Sequence, residues 1–370
     1  MGGSGEASQE TCLTTGKRAP VSAQVSVFCK RLFWRSAVMR WAFFAHGKTG
    51  TALIMQFRFL FAEKKGKIMT RDEFKRLAER PILLDGATGS NLIAAGMPLG
   101  VCTEKWVLAH PNVLTQLQKS YVEAGSQIVY APTFGANRRL LRSTGVGDEV
   151  GTLNRQLVRL TQRAVKGRAL VAGNATTSRS IPDVTEDYTY QDAQDLYREQ
   201  FSALAGAGVD LLAVETMLSL REAAAAVEAV RRVCELPVLC TMTVREDGRA
   251  FSGESAAEIV DTLQSLGADA VGLNCSTGPE RLENIVREMK KASRVPLVVK
   301  PNLGMPTMSR TGKAVYHTTP EEFAVHMTRL IDAGANIVGG CCGTTPEHIR
   351  ALCESMGRIS CEGTAQMSCA

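Results

Sequence analysis

From residue 81 onward, short apolar runs rich in valine, isoleucine and leucine alternate with longer amphipathic segments, and the alternation repeats eight times. The short runs, at 82–85, 127–131, 169–173, 210–215, 238–243, 270–274, 297–300 and 336–340, are each nearly continuous in apolar character. A strand with one wet face alternates instead, so these read as parallel strands covered on both faces. Segments such as 113–124, 193–207, 220–233, 256–266 and 320–333 carry the helical period. Several close on a glycine, as at Gly125, Gly208, Gly267 and Gly334, where the left-handed conformation that ends a helix costs least. Eight such units predict an α/β fold, a single-domain (β/α)8 TIM barrel. An open doubly wound sheet is the alternative, but no Gly-x-Gly-x-x-Gly follows the first strand.

Composition leaves this picture in place. With 45% hydrophobic and 22% charged residues over 370 positions, the chain can bury one large core. The net charge of +6 is unevenly spread: residues 1 to 68 hold 11 Lys/Arg against 3 Asp/Glu, or +8, and the rest is near −2. A nucleic-acid footprint needs its basic excess on a folded face, so no nucleic-acid partner is expected. Residues 1 to 68 show no sustained period and read as an N-terminal extension, disordered or misassigned, with a transit peptide as the alternative for an Arg-bearing, acid-poor segment. Its most apolar part, 37–62, is interrupted by Arg40, His46, Lys48 and Arg58, whereas a membrane span needs about 20 largely apolar residues. Thr70 and Glu73 have capping-box spacing, which places the start of the folded domain at Met69. The barrel is expected over 69–357, with a tail at 358–370. Eleven cysteines in a long chain without a secretory signal point to free thiols in a reducing compartment, the cytoplasm, rather than to a disulfide framework.

In such a barrel the chemistry lies where the carboxyl ends of the strands run into loops. The residues at those ends are Asp85-Gly86, Pro132-Thr133-Phe134, Asn174, Glu215-Thr216, Thr243, Asn274-Cys275, Pro301-Asn302 and Cys341-Cys342. Cys275, Cys341 and Cys342 thus share one rim. Zinc is normally four-coordinate, so three thiolates leave a position for water or substrate, as in a catalytic site. A lone cysteine at a strand end is more often a small buried apolar residue, and three on one rim change that balance. A disulfide between the neighbours Cys341 and Cys342 would close a strained ring. The glycine-rich run 339–343 could instead cradle a phosphate at the opening of the last helix, a role that needs no cysteine. Asp85, among small residues, and Glu215, at the mouth of an apolar strand, suit the charged ends of an amino acid, the ammonium above all. Their plainer reading is a helix cap or a surface acid. His110, His326 and His348 fall in helical or loop segments and suggest no base-plus-nucleophile pair.

Six runs carry a resemblance: Leu84-Asp85-Gly86-Ala87-Thr88-Gly89, Tyr130-Ala131-Pro132-Thr133-Phe134-Gly135-Ala136-Asn137, Glu215-Thr216, Gly272-Leu273-Asn274-Cys275, Lys300-Pro301-Asn302-Leu303-Gly304 and Gly339-Gly340-Cys341-Cys342-Gly343. Together they resemble the homocysteine S-methyltransferase family, and within it the homocysteine-binding barrel of cobalamin-dependent methionine synthases. The resemblance implies that Cys275, Cys341 and Cys342 bind Zn2+ and that the homocysteine sulfur takes the open position for methyl transfer, giving methionine. It also implies that Asp85 and Glu215 hold the amino group and that N–H groups near Gly86 and Thr133 receive the carboxylate. Asn302 matches a position that approaches the zinc when substrate is absent. The sequence ends soon after the last predicted helix, so the methyl donor is expected from outside: S-methylmethionine, betaine or a separate cobalamin-binding protein. A non-catalytic barrel that binds zinc or thiols, and a methyltransferase for another thiol or selenol amino acid, are the competing readings.

Overall fold

Strands that bury both faces need helices outside and a filled lumen within, and the chain supplies both. The computed structural model describes residues 68–147, 149–178, 188–308 and 314–366. These lie in the compact unit Gly50–Ala370, and a second unit, Met1–Thr49, is outside the described residues. The expected N-terminal extension therefore also falls outside them, apart from Ile68.

The parallel strands are β1 (Ile82–Leu83), β2 (Ile128–Tyr130), β3 (Leu170–Ala175), β4 (Leu211–Met217), β5 (Val238–Met242), β6 (Ala270–Asn274), β7 (Leu297–Lys300) and, after a small hairpin of β8 (Thr307–Met308) and β9 (Ala314–Val315), β10 (Ile337–Val338). They form one eight-stranded sheet in the order β1-β10-β7-β6-β5-β4-β3-β2. A parallel bridge from Leu84 to Ile128 joins β1 to β2 and closes the ring. The fold is a (β/α)8 barrel, and closure excludes the open doubly wound sheet.

Outside the strands run α1 (Arg71–Leu77), α2 (Gly89–Ala94), α3 (Thr103–Ala109), α4 (Pro111–Glu123), α5 (Arg138–Ser143), α6 (Val150–Val165), α7 (Tyr190–Gly206), α8 (Leu220–Val233), α9 (Ala256–Ser265), α10 (Glu283–Ala292), α11 (Pro320–Asp332) and α12 (Pro346–Gln366). The last continues past residue 357, where the domain boundary was expected. Capping boxes start four of them, with Thr70 and Glu73 at α1, Thr189 and Asp192 at α7, Ser255 and Glu258 at α9, and Thr319 and Glu322 at α11. Each pair satisfies two backbone donors that the first turn leaves free. Gly334, at φ +119°, ends α11 and turns the chain into β10. No helix among the described residues is long and apolar enough to cross a membrane.

Alternating strand residues feed two cores. Ile82, Leu84, Ile128, Leu170, Leu211, Leu239, Val298 and Ile337 fill the lumen, and α1 closes its amino-terminal end by adding Met69, Phe74 and Ala78. The opposite faces, with Val129, Val171, Leu212, Val271 and Val299 among them, pack under the helices. Asp269 fastens the plug: its carboxylate receives Arg71 Nε at 2.6 Å, Arg231 Nη2 at 2.5 Å and Val238 N at 2.8 Å. The amino-terminal end is thereby sealed, and the other end is left to the loops.

Strand spacing depends on one glycine in particular. A Cβ at Gly272 would stand 1.8 Å from the Val298 carbonyl oxygen, and backbone cannot yield as a side-chain tip can. Gly272→Ala should destabilise the barrel by about 3 kcal/mol or more, read as a lowered urea midpoint; an unchanged midpoint would show that β6 and β7 can separate freely.

Candidate active site

The rim after β6 and β10 brings the three predicted cysteines together. Cys275 leaves β6 in the left-handed region at φ 52°, and its N–H donates to Lys300 O at 3.2 Å. Cys341 and Cys342 follow Gly339 and Gly340, where the chain runs tightly against β1. A Cβ at Gly339 would lie 2.8 Å from the Asp85 carbonyl oxygen, and one at Gly340 would lie 2.3 Å from the Thr344 side chain. Cys275 Sγ and Cys342 Sγ are 3.7 Å apart, and all three sulfurs lie within 4.8 Å of one another. Among the described residues no other group of three His, Cys, Asp or Glu side chains is so gathered. All three are free thiols, and the cluster could hold a metal ion.

Backbone bonding argues against a phosphate cradle here. The N–H groups of Gly340, Cys341, Cys342, Gly343, Thr344 and Thr345 donate to Asp85 O, Pro301 O, Asn302 Oδ1, Ser90 Oγ, Cys341 O and His348 Nδ1 respectively. An anion site at a helix start needs donors to spare, and this turn has spent them on holding the cysteines.

The sulfur cluster is charged unequally. Hydrogen bonds from Cys275 and Cys341 hold the Cys342 thiol well below the usual thiol range, while the bonds of Cys275 to Cys341 and Cys342 push the Cys275 thiol up. Asn274, fully buried at the end of β6, steadies the group. Its Oδ1 accepts Thr216 N at 2.7 Å and Thr241 Oγ1 at 2.8 Å, and its Nδ2 donates to Thr216 Oγ1 at 2.8 Å and toward Cys341 Sγ at 3.8 Å. Thr216, like Cys275, has positive φ, at 60°. Two non-glycine residues in this sparsely populated region on one rim mark a site where the surroundings impose the conformation.

Across the mouth lies an acidic pocket. The cysteines, Asp85, Tyr130, Asn174, Glu215 and Lys300 line a single cavity of about 400 Å³. A shift of register between Val214 and Met217 puts Glu215 and Thr216 in a bulge of β4, a device that re-aims side chains at barrel rims. Glu215 Oε1 accepts Asn174 Nδ2 at 2.7 Å, and Oε2 accepts Lys300 Nζ at 3.2 Å. Asp85 Oδ2 accepts Tyr130 N at 2.8 Å. Burial pushes the Asp85 carboxyl up to about 7, against the pull of the Lys300 charge and the Tyr130 N–H.

The other expected site residues are placed as follows. Gly86 lines the cavity and has no room for a side chain, since a Cβ would stand 2.7 Å from Tyr121 Oη. Thr133 is fully buried behind the wall: its N–H is taken by Ala131 O at 2.7 Å and its Oγ1 donates to Asn174 O at 2.7 Å. Its neighbour Phe134 reaches the cavity instead. Asn302 accepts the Cys342 N–H at 3.1 Å and so lies against the cluster. Asn174, Asn274 and Lys300 belong to the rim and its motifs, and the sequence alone assigns them no role. Lys300 carried the clearest signal, a charge closing the apolar run Leu297-Val298-Val299.

Fold and rim together define an α/β-barrel protein with a three-thiol cluster beside an acidic pocket. Residues 82–356 match the profile of homocysteine S-methyltransferases. The methionine synthase of Mycobacterium leprae is 31% identical over 311 residues, which is 79% of this chain and 26% of that protein. That of Mycobacterium tuberculosis is 31% identical over 301 residues, covering 76% and 25%. The chain thus spans about a quarter of the length of these curated relatives. Among solved structures, the metallated form of the homocysteine methyltransferase MmuM from Escherichia coli superposes with a TM-score of 0.63 at 25% identity, covering 74% of this chain and 96% of that one. The chain belongs to the homocysteine S-methyltransferase family.

Asp85 gives the site a measurable pH signature. Its carboxyl goes from an ordinary 3.8 to about 7 on folding, so between those values the folded protein keeps a proton that the unfolded chain has released. Stability from this group is full below pH 3.8 and is lost as pH rises through 7, a decline on the order of 4 kcal/mol. Asp85→Asn should remove that component: in urea denaturation of the metal-free protein, the variant gains on the parent between pH 4 and pH 8. Parallel pH profiles would contradict the burial argument.

Proposed function

We propose that the chain is a zinc-dependent homocysteine S-methyltransferase that forms methionine. The observation that carries this reading is one cavity with three thiols and an acid pair on its wall. Cys275, Cys341 and Cys342 would hold the zinc. The 3.7 Å between Cys275 and Cys342 suits the roughly 3.8 Å edge of a tetrahedron with Zn–S bonds of about 2.3 Å, and the all-sulfur donor set suits a soft or borderline ion. When bound, zinc would supply the Lewis acidity that keeps a substrate thiol ionised at neutral pH.

The chain's own residues do the binding and aiming. Asp85 and Glu215 hold the ammonium of homocysteine, Asp85 by a charge-assisted hydrogen bond and Glu215 by its nearby charge. The N–H groups of Gly86 and Phe134, which make no hydrogen bond to another described residue, serve its carboxylate, the function expected near Gly86 and Thr133. Asn274 steadies Cys341, and Asn302 steadies Cys342 through its backbone and stays beside the cluster when substrate is absent. With both ends of the amino acid fixed, its sulfur faces the mouth. The sulfur lone pair forms the new S–CH3 bond as the bond from methyl to donor breaks, the donor leaves with its electron pair, and the thiol proton passes to solvent. Alignment of these partners is what the site contributes to rate.

The donor reaches the mouth from outside the barrel. Small sulfonium and quaternary ammonium compounds such as S-methylmethionine and betaine, and a separate methyl-cobalamin protein, all suit an open rim. The free thiols of the described cysteines support the cytoplasm as the setting.

Methionine formation from homocysteine, measured in parallel with S-methylmethionine, betaine and methylcobalamin, tests the assignment. Turnover with a small donor identifies a self-sufficient enzyme, and transfer from methylcobalamin alone identifies a corrinoid partner. Homocysteine binding without transfer from any donor would leave a binding protein, and preference for another thiol or selenol would redefine the acceptor. Cys341→Ala should lose its zinc by metal analysis and lower turnover at least about a thousandfold, with the circular dichroism of the barrel retained. Full turnover in that variant would overturn the mechanism.

A further inference from the structure

The pocket proposed for the homocysteine ammonium already contains an ammonium of its own. Lys300 is 3% exposed, and its Nζ lies 3.2 Å from Glu215 Oε2, 3.8 Å from Asp85 Oδ1 and 3.8 Å from the centroid of the Tyr130 ring. The two acids meet it unequally. Glu215 is within hydrogen-bond reach, whereas Asp85 Oδ1 stands beyond it and has no hydrogen-bond partner. Asn174 Oδ1 is likewise buried without a partner, although its Nδ2 is committed to Glu215. Two desolvated acceptors on the wall of one cavity, each missing a donor, require an explanation, and a ligand with several N–H groups provides one.

The charges make the requirement specific. Above about pH 7, where Asp85 has lost its proton, Asp85, Glu215 and Lys300 together carry one negative unit, so one further cation makes the pocket neutral. The remaining ionisable neighbours of Lys300 are the Tyr130 phenol and the Cys341 thiol, the latter part of the sulfur cluster. Without Lys300, two buried carboxylates would face each other uncompensated. With Lys300 but only one acid, an arriving ammonium would meet a pocket already neutral and leave a buried positive charge unpaired.

We propose that Lys300 is a positioning residue that sets the amino-acid subsite at one negative unit, so that it selects thiol ligands carrying a single ammonium, which donates to Asp85 Oδ1 and Asn174 Oδ1. The proposal rests on the reading of Asp85 and Glu215 as the ammonium site and adds the counter-charge that makes the site selective. It also explains why a lysine ends a strand whose preceding residues are apolar: the charge is needed at the mouth and nowhere else along β7.

A charge-compensation experiment tests it. At about pH 8, where Asp85 is ionised, the zinc-loaded full chain is titrated calorimetrically with L-homocysteine and with 4-mercaptobutanoate, which keeps the thiol and carboxylate and lacks the amine. The parent should prefer homocysteine by at least about a hundredfold. Lys300→Met and Glu215→Gln should each weaken homocysteine about a hundredfold, the first because the two facing acids then hold a proton that competes with the ammonium and the second by leaving the pocket no net negative charge. The double variant Glu215→Gln/Lys300→Met restores one negative unit and should bind homocysteine at least about tenfold more tightly than either single variant. A purely structural lysine predicts the opposite, losses that add. If the parent discriminates but the double variant is no better than the singles, the role of Lys300 is overturned and the ammonium site stands. If the parent binds both ligands equally, the amino-acid reading itself fails. Should Lys300→Met not fold, judged by circular dichroism, Lys300→Gln with and without Glu215→Gln makes the same comparison.

Discussion

Three sulfur atoms within 4.8 Å of one another cannot all be charged unless a cation lies among them. Two like charges about 4 Å apart repel by about 1 kcal/mol in bulk water and by about 4 kcal/mol near a protein surface. Much of the carboxyl end of the barrel serves to hold the sulfurs at that spacing. Cys275 comes from β6 and the pair Cys341 and Cys342 from β10, with β7 between them. The cluster therefore depends on how closely three strands approach. Gly272 lets β6 close on β7, and Gly339 lets β10 close on β1. The backbone donors of the 340–345 turn are consumed in fixing the same geometry.

The opposite wall of the cavity is organised by charge rather than by sulfur. Asp85, Glu215 and Lys300 are buried together where β1, β4 and β7 end, and Asn174 and Tyr130 limit how they can turn. Left-handed backbone at Thr216 and Cys275 and unpaired acceptors on Asp85 and Asn174 are unfavourable locally. A fold tolerates such features when the rest of it is over-determined. The lumen core, the capped helices and the Asp269 tie at the far end provide that surplus, so the stable end and the reactive end of the barrel are different places.

Sequence and structure part company at individual residues. Thr133 stands beside the rim in the chain, yet its N–H closes a tight turn on Ala131 and its side chain packs behind Asn174, so Phe134 lines the cavity instead. A period-two argument cannot foresee this, because the chain has left the strand by then. Glu215 points inward owing to a bulge that no apolar pattern announces. The glycine-rich run 339–343 admitted a phosphate loop on composition, and only the partners of its N–H groups argue against one.

The sequence by itself determined the architecture and which thiols stand at the mouth of the barrel. Continuous apolar runs separated by amphipathic segments with capped starts and glycine ends encode parallel strands and helices locally, and eight repeats leave one closed arrangement. Cysteines at the ends of two of those strands follow from strand direction alone. The tertiary structure decided everything that depends on distance between strands far apart in the chain. It decided that three thiols meet within 4.8 Å of one another, that Lys300 joins Asp85 and Glu215, and that Asn274 reaches across to Thr216 and Cys341. The reason is physical: an apolar period is set by which side of a strand faces the core, whereas charge pairing and thiol spacing are set by closure of the ring, which brings together residues as far apart as Ala87 and Thr344, 257 positions.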